Sequence, residues 1–96
     1  MSRRRQYKFR LYVTGDSPNG AQAIANLTAM CKERLADRHK IEIIDLSRDP
    51  QRALTDGIFM TPTLLKLAPA PPKRIVGALS QTERVVQTLG LYNSVA

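Results

Sequence analysis

Few residues in this chain are of the kinds that do covalent chemistry, and their placement argues against it. The segment Gly15-Asp16-Ser17-Pro18-Asn19-Gly20 ends a strand-like run and opens a helical one. A disulfide-exchange protein would carry a pair of cysteines at such a turn, and this turn carries none. The single cysteine, Cys31, falls on the apolar stripe of the following helix. It cannot form an internal disulfide. A buried structural thiol is expected there, since a redox sensor needs an exposed, low-pKa thiolate. His39, the one histidine, stands in a polar stretch between Arg38 and Lys40 and reads as a surface residue. Its presence leaves a Ser-His-Asp triad arithmetically open, but nothing supports one. No Cys/His cluster exists to hold a metal. The expectation is a chain with no catalytic residue, no metal and no cofactor, whose work is binding.

Ninety-six residues make one domain, expected over residues 7–92 behind a basic arm at 1–6. A chain of this length buries roughly 60–70% of its extended surface, enough for one modest core. No apolar run approaches the roughly 18–20 residues of a membrane helix. Met1-Ser2-Arg3-Arg4-Arg5 has no apolar segment behind it, so a cytoplasmic protein without a secretory signal is expected. The net charge is +7. That suggests an acidic partner or nucleic acid. Arg3, Arg4, Arg5, Lys8 and Arg10 all lie in the first ten positions, however. A solvated tail explains such an arm better than a reader of bases. No aromatic-basic stripe exists for stacking on single strands.

The elements that must position the turn are legible from periodicity. Tyr7, Phe9, Leu11 and Val13 alternate with Lys8, Arg10, Tyr12 and Thr14, a period-2 strand. Ser17 caps and Pro18 opens a helix whose apolar stripe is Ala23, Ile24, Leu27, Cys31 and Leu35. Ile41 to Leu46 is apolar enough for a parallel strand buried on both faces. Asp49-Pro50 repeats the cap-then-proline pattern, and Gly57 ends a helix of about two turns. Thr63 to Leu67 and Arg74 to Val76 are strands, separated by the rigid Pro69, Pro71 and Pro72. Ser80 and Glu83 form a capping box for a last helix over Gln81 to Leu89, with Gly90 as its stop. The order is β-α-β-α-β-β-α.

A strand-to-helix turn paired with Met60-Thr61-Pro62-Thr63 before a later strand is the skeleton of a thioredoxin-like α/β fold. Pro62 then occupies the position where thioredoxins hold a cis proline. The two halves are unequally committed. Ala, Leu, Met, Lys, Glu and Arg build the first helix, while Thr82, Val85, Val86 and Thr88 load the last with β-branched residues that favour strands. A short second helix depends on tertiary packing. Everything after about residue 50 therefore takes its structure from context. Such conflict marks either mild frustration or a functional second state.

The residues also resemble a known family. Leu11-Tyr12-Val13 with Gly15 and Ser17-Pro18-Asn19, then Ile44-Asp45-Leu46, Asp49-Pro50-Gln51 and Thr61-Pro62-Thr63-Leu64 are similar to the KaiB clock proteins. So are Pro71 with Lys73-Arg74-Ile75-Val76-Gly77, and Leu79-Ser80 with Glu83. The similarity runs from about Tyr7 to Tyr92. It implies a metamorphic protein. One state is a dimer or tetramer with a differently folded C-terminal half, favoured in a crystal. The other is a rare thioredoxin-like monomer. The monomer would bind the N-terminal ATPase ring of a KaiC-like partner and, in the standard clock, then sequester a KaiA-like protein. The sequence departs from the family pattern at Glu42, Gly57, Ala78, Thr88 and Gly90, which points to a divergent paralogue.

The partner-binding face implied by the resemblance is the stretch from Arg48 to Thr61, with Arg48, Asp49, Pro50, Gln51, Asp56, Ile58, Met60 and Thr61 as its residues. Lys73 and Arg74 could meet acidic groups on the partner, or could guard a sheet edge against aggregation. Pro62, Pro69, Pro71, Pro72, Ala78, Thr88 and Gly90 are the expected fold-switch positions. Two other classes stay open: a redox-inactive thioredoxin-like adaptor and a basic nucleic-acid-binding module.

Overall fold

The strand Tyr7–Val13 (β1) lies inside the sheet, so both of its sides meet protein. The computed structural model describes residues 6–91; the Arg3–Arg5 arm and the end at Tyr92 lie outside the described residues. After β1 come α1 (Pro18–Leu35), β2 (His39–Asp45), α2 (Gln51–Asp56), β3 (Thr63–Ala68), β4 (Lys73–Val76) and α3 (Thr82–Leu89). The four strands run in the order β2-β1-β3-β4. β1 pairs parallel with β2, and β3 pairs antiparallel with both β1 and β4. This is the β-α-β-α-β-β-α order expected from the sequence, in its thioredoxin-like arrangement.

Alternation along β1 divides the molecule into two layers. Phe9, Leu11 and Val13 face α1 and α3. They form the main core with Leu27, Met30, Cys31, Leu35, Leu64, Val85, Val86 and Leu89. Each such side chain, fully buried, contributes about 1.5–3 kcal/mol. Ser17 caps α1 by accepting from the Gly20 amide at 3.1 Å, with Pro18 at the first helical position. Cys31 is fully buried, and desolvation pushes its thiol up to about 12, as a structural thiol requires.

The opposite face carries a second, smaller cluster of Tyr12, Ile44 and Ile58, flanked by Leu46 and Leu65. Tyr12 stands in the polar phase of β1, yet it is fully buried. An inside strand has no solvent face where another element lies over it.

Four local expectations are corrected. β2 is not buried on both faces: it lies at the sheet edge, and Ile43 is 42% exposed. Strand polarity set the pattern, but position in the sheet sets burial. β2 also begins at His39, which is half-buried in the ladder opposite Tyr7 rather than in a loop. The Ser80–Glu83 capping box does not form. α3 begins at Thr82 behind Gln81 with no side-chain cap, and Glu83 faces Arg34 of α1 at 3.7 Å instead. Likewise α2 has Pro50 at its N-cap, with no side-chain cap bond. Gly57 and Gly90 stop the two helices in the left-handed conformation, at φ 69° and 71°. A residue with a Cβ is strained there.

Candidate functional site

The stretch from Arg48 to Thr61 crosses one end of the second face, and it is built inside out. Ile58 is 3% exposed and packs on Tyr12 and Ile44. Its amide donates to the Ala53 carbonyl at 2.8 Å, which closes α2 onto the segment that follows. Above it, Tyr12 donates its hydroxyl to Asp56 Oδ2 at 2.5 Å, and Arg52 Nε donates to the same oxygen at 3.1 Å. These bonds hold the Asp56 carboxyl below the usual carboxylate range, the Tyr12 hydroxyl being the larger cause. Burial and the Asp56 contact push the Tyr12 phenol up. The Arg74 guanidinium donates to the Gly57 carbonyl at 3.1 Å, tying β4 to the end of α2.

With its underside fixed, the stretch turns large apolar side chains outward. Leu54 is 76% exposed, Phe59 86% and Met60 63%. The same stretch also exposes Arg48, whose Nε stands 3.8 Å from Asp45 Oδ2, and Asp49, Pro50 and Gln51. Thr61 shares a hydroxyl hydrogen bond of 2.9 Å with Thr14, and Thr63 donates to the Met60 carbonyl. The β1–α1 turn is stiffened from the same side. Asp45 accepts from the amides of Gly15 and Ser47 and from the Ser47 hydroxyl, which hold its carboxyl low, the Gly15 amide most. No group of His, Cys, Asp or Glu that could hold a metal occurs among the described residues. What the arrangement offers is a set of exposed apolar side chains on a fixed base.

The expected residues thus sort into two kinds. Arg48, Asp49, Pro50, Gln51, Met60, Lys73 and Arg74 are exposed. Ile58 and Asp56 face inward and aim the others; neither side chain is free to reach a partner in this fold. Tyr12, Arg52, Leu54 and Phe59 were not singled out by sequence reasoning. In Gly57-Ile58-Phe59-Met60 three apolar residues run together, and no period says which points in. Of the fold-switch positions, the peptide bonds preceding Pro62, Pro69 and Pro71 are cis, and Pro62 is buried. Pro72 is exposed in the β3–β4 connection. The Ala78 carbonyl accepts from Asn26 at 2.8 Å, Thr88 is exposed on α3, and the Gly90 carbonyl accepts from the Tyr7 hydroxyl at 3.2 Å.

The KaiB domain model matches residues 10–91. The chain belongs to the KaiB family. It is 50% identical over 82 residues to the circadian clock protein KaiB3 of Synechocystis, covering 85% of this chain and 78% of the relative. It is 40% identical over 91 residues to the circadian clock oscillator protein KaiB of a Prochlorococcus marinus strain, covering 95% and 76%. Among solved structures, the N-terminal domain of Synechococcus elongatus SasA superposes with a TM-score of 0.72 at 16% identity, covering 100% of this chain and 94% of that one. Chloroplastic thioredoxin z gives 0.70 at 19%, covering 91% and 81%. At such identities the likeness shows the thioredoxin-like fold alone. This KaiB-family chain keeps that fold without cysteines at the β1–α1 turn. No helix among its described residues is long and apolar enough to cross a membrane.

Proposed function

We propose that this protein is a non-enzymatic clock regulator that binds the N-terminal ATPase ring of a KaiC-like partner through the surface around α2. The observation that carries the reading is Phe59 at 86% exposure beside Ile58 at 3%. A folded chain has no reason of its own to present an aromatic ring, with Met60 and Leu54, to water. Exposed apolar side chains among polar ones mark interaction sites. Aromatic anchors dominate such interfaces. Kinship with named circadian clock proteins supports a clock role, and a KaiC-like ring is the partner that the family resemblance implies.

The bound form is the thioredoxin-like monomer, in exchange with an oligomeric fold in which the half after residue 50 is rebuilt. The missing side-chain caps on α2 and α3 support this, because little local signal holds either helix. A gap of a few kcal/mol leaves roughly 0.1–10% of the minor state. Apparent affinity falls by that fraction.

The test is co-elution with a KaiC-type ring in ATP, after hours of incubation. A complex is expected for the wild-type chain and none for Phe59→Ser with Met60→Ser. No complex at any phosphorylation state of the ring, or a complex undiminished in that variant, rejects the reading. An NMR spectrum with sizing data tests the exchange; one set of resonances from one species at every concentration rejects it.

A further inference from the structure

We propose a second docking site, at the opposite end of the same sheet face from α2, for an acidic and partly apolar peptide segment of a partner protein. The site goes beyond the α2 surface. Lys8 and Tyr12 are four residues apart on β1, so their positions are separated by about 13 Å at strand rise. α2 covers the Tyr12 end, and no element among the described residues covers the Lys8 end. A shallow hollow of ≈ 470 Å³ lies there.

Its charge is what identifies the occupant. Lys8 and Lys40 stand directly opposite each other in the β1–β2 ladder, both exposed and both lining the hollow. Like charges directly opposite on a sheet are destabilising. Neither lysine has a carboxylate partner among the described residues. The one carboxylate of the lining, Glu42, is spent on Arg10, whose Nε lies 2.7 Å from its Oε1. That pair raises the already high pKa of Arg10, and among the described residues no ion pair joins Glu42 to either lysine. An arriving carboxylate would relieve the repulsion of the two ammonium groups at once.

The remaining wall is apolar. Leu67 lines the hollow at 41% exposure, whereas the Ile41 side chain packs against the main core on the other face. A segment with carboxylates on one side and an aliphatic residue on the other matches both. Nucleic acid matches only the charge: the single aromatic of the lining, Phe9, is 1% exposed, so no ring is offered for a base to stack on.

The probe is a short fluorescein-labelled peptide alternating glutamate and leucine, followed by anisotropy, with a labelled oligothymidine of equal charge alongside. Binding of the peptide that weakens with salt is expected, with little binding of the oligothymidine. Reversing both charges, K8E with K40E, should weaken the peptide roughly tenfold. The neutral pair Lys8→Gln with Lys40→Gln should weaken it less. Phe59→Ser should leave it unchanged, which separates this site from the α2 surface. In the wild-type chain the amide resonances of Lys8, Lys40 and Leu67 should move on titration and those of Leu54 and Met60 should not. Peptide affinity unchanged in both lysine variants overturns the proposal. So does loss in Phe59→Ser, or oligothymidine binding tighter than the peptide through the same lysines.

Discussion

The two faces of this sheet are made by the same strands and finished differently. Under α1 and α3 the sheet is sealed: Leu11, Ala23, Leu27, Cys31, Leu64 and Leu89 have no exposed surface. On the other face three buried residues, Tyr12, Ile44 and Ile58, form a small cluster at one end. Beyond it lie charges, and beside it lie apolar side chains turned to water. Stability is concentrated in one layer, and both proposed binding surfaces lie on the other. A core side chain that also bound a partner would have to leave the core to do so. Separating the layers lets the α2 surface change without loss of the sheet that aims it.

The sharpest way to break this contrast is on the sealed side. Leu27→Ala removes a side chain with no exposed surface from the middle of α1, and the packed layer has little room to collapse. A loss of about 2–5 kcal/mol is expected in urea unfolding. A loss well under that range would mean that the layer is looser than its burial implies.

Ile58→Ala comes next and tests the join between the layers. The cluster is small and edged by solvent, so the loss should sit near the low end, about 2 kcal/mol. Ile58 also aims Phe59 and Met60. Affinity for a KaiC-type ring should therefore fall further than the lost stability explains, as measured on the fraction still folded. Loss of stability with affinity intact would show that Phe59 finds its place without the anchor.

The same contrast explains what could be read from the sequence. α1 announces itself through Ser17, Pro18 and an unbroken apolar stripe, because a helix against a core needs only a 3.6-residue period and a cap. β1, β3 and β4 were equally plain. The failures lie where an element's neighbours decide its state. Ile43 has the composition of a buried strand, yet it sits at an edge, and sheet order is not a local property. Tyr12 has the phase of a solvent-facing residue, yet α2 closes over it from more than forty positions away in sequence. Ser80 and Glu83 have the spacing of a capping box. Glu83 instead faces Arg34 on α1, a contact that no window of sequence contains. The α2 surface was legible as a stretch but not as side chains, since inward Ile58 and outward Phe59 are adjacent apolar residues.

A smaller effect is expected from acid. Asp56 has its pKa lowered in the fold, by the Tyr12 hydroxyl first and Arg52 after it. Its contribution to stability is therefore present above the unfolded value, near 3.9, and is lost as pH falls through the lower folded value. Tyr12→Phe keeps the ring and removes the larger cause. The wild-type chain should lose stability on going from about pH 5 to about pH 2, and the variant should lose less over the same span. Urea midpoints across that range read the difference. Parallel curves for the two would show that the Tyr12–Asp56 bond does not persist in solution.

The smallest effect on stability should come from Phe59→Ala, and that is where the contrast between the layers is most exposed to failure. The ring is 86% exposed and belongs to neither core cluster. Its removal should change unfolding by no more than about 0.5 kcal/mol, the range of ordinary surface substitutions. The same change should cost a KaiC-type complex roughly tenfold or more in affinity, as truncating an aromatic anchor does. The two measurements decide separate matters. A large loss of stability would mean that the ring packs on something in solution and that the second face is closed over it. Unchanged stability with unchanged affinity would leave an exposed aromatic ring without a purpose, and the α2 surface would lose its claim to be where the partner sits.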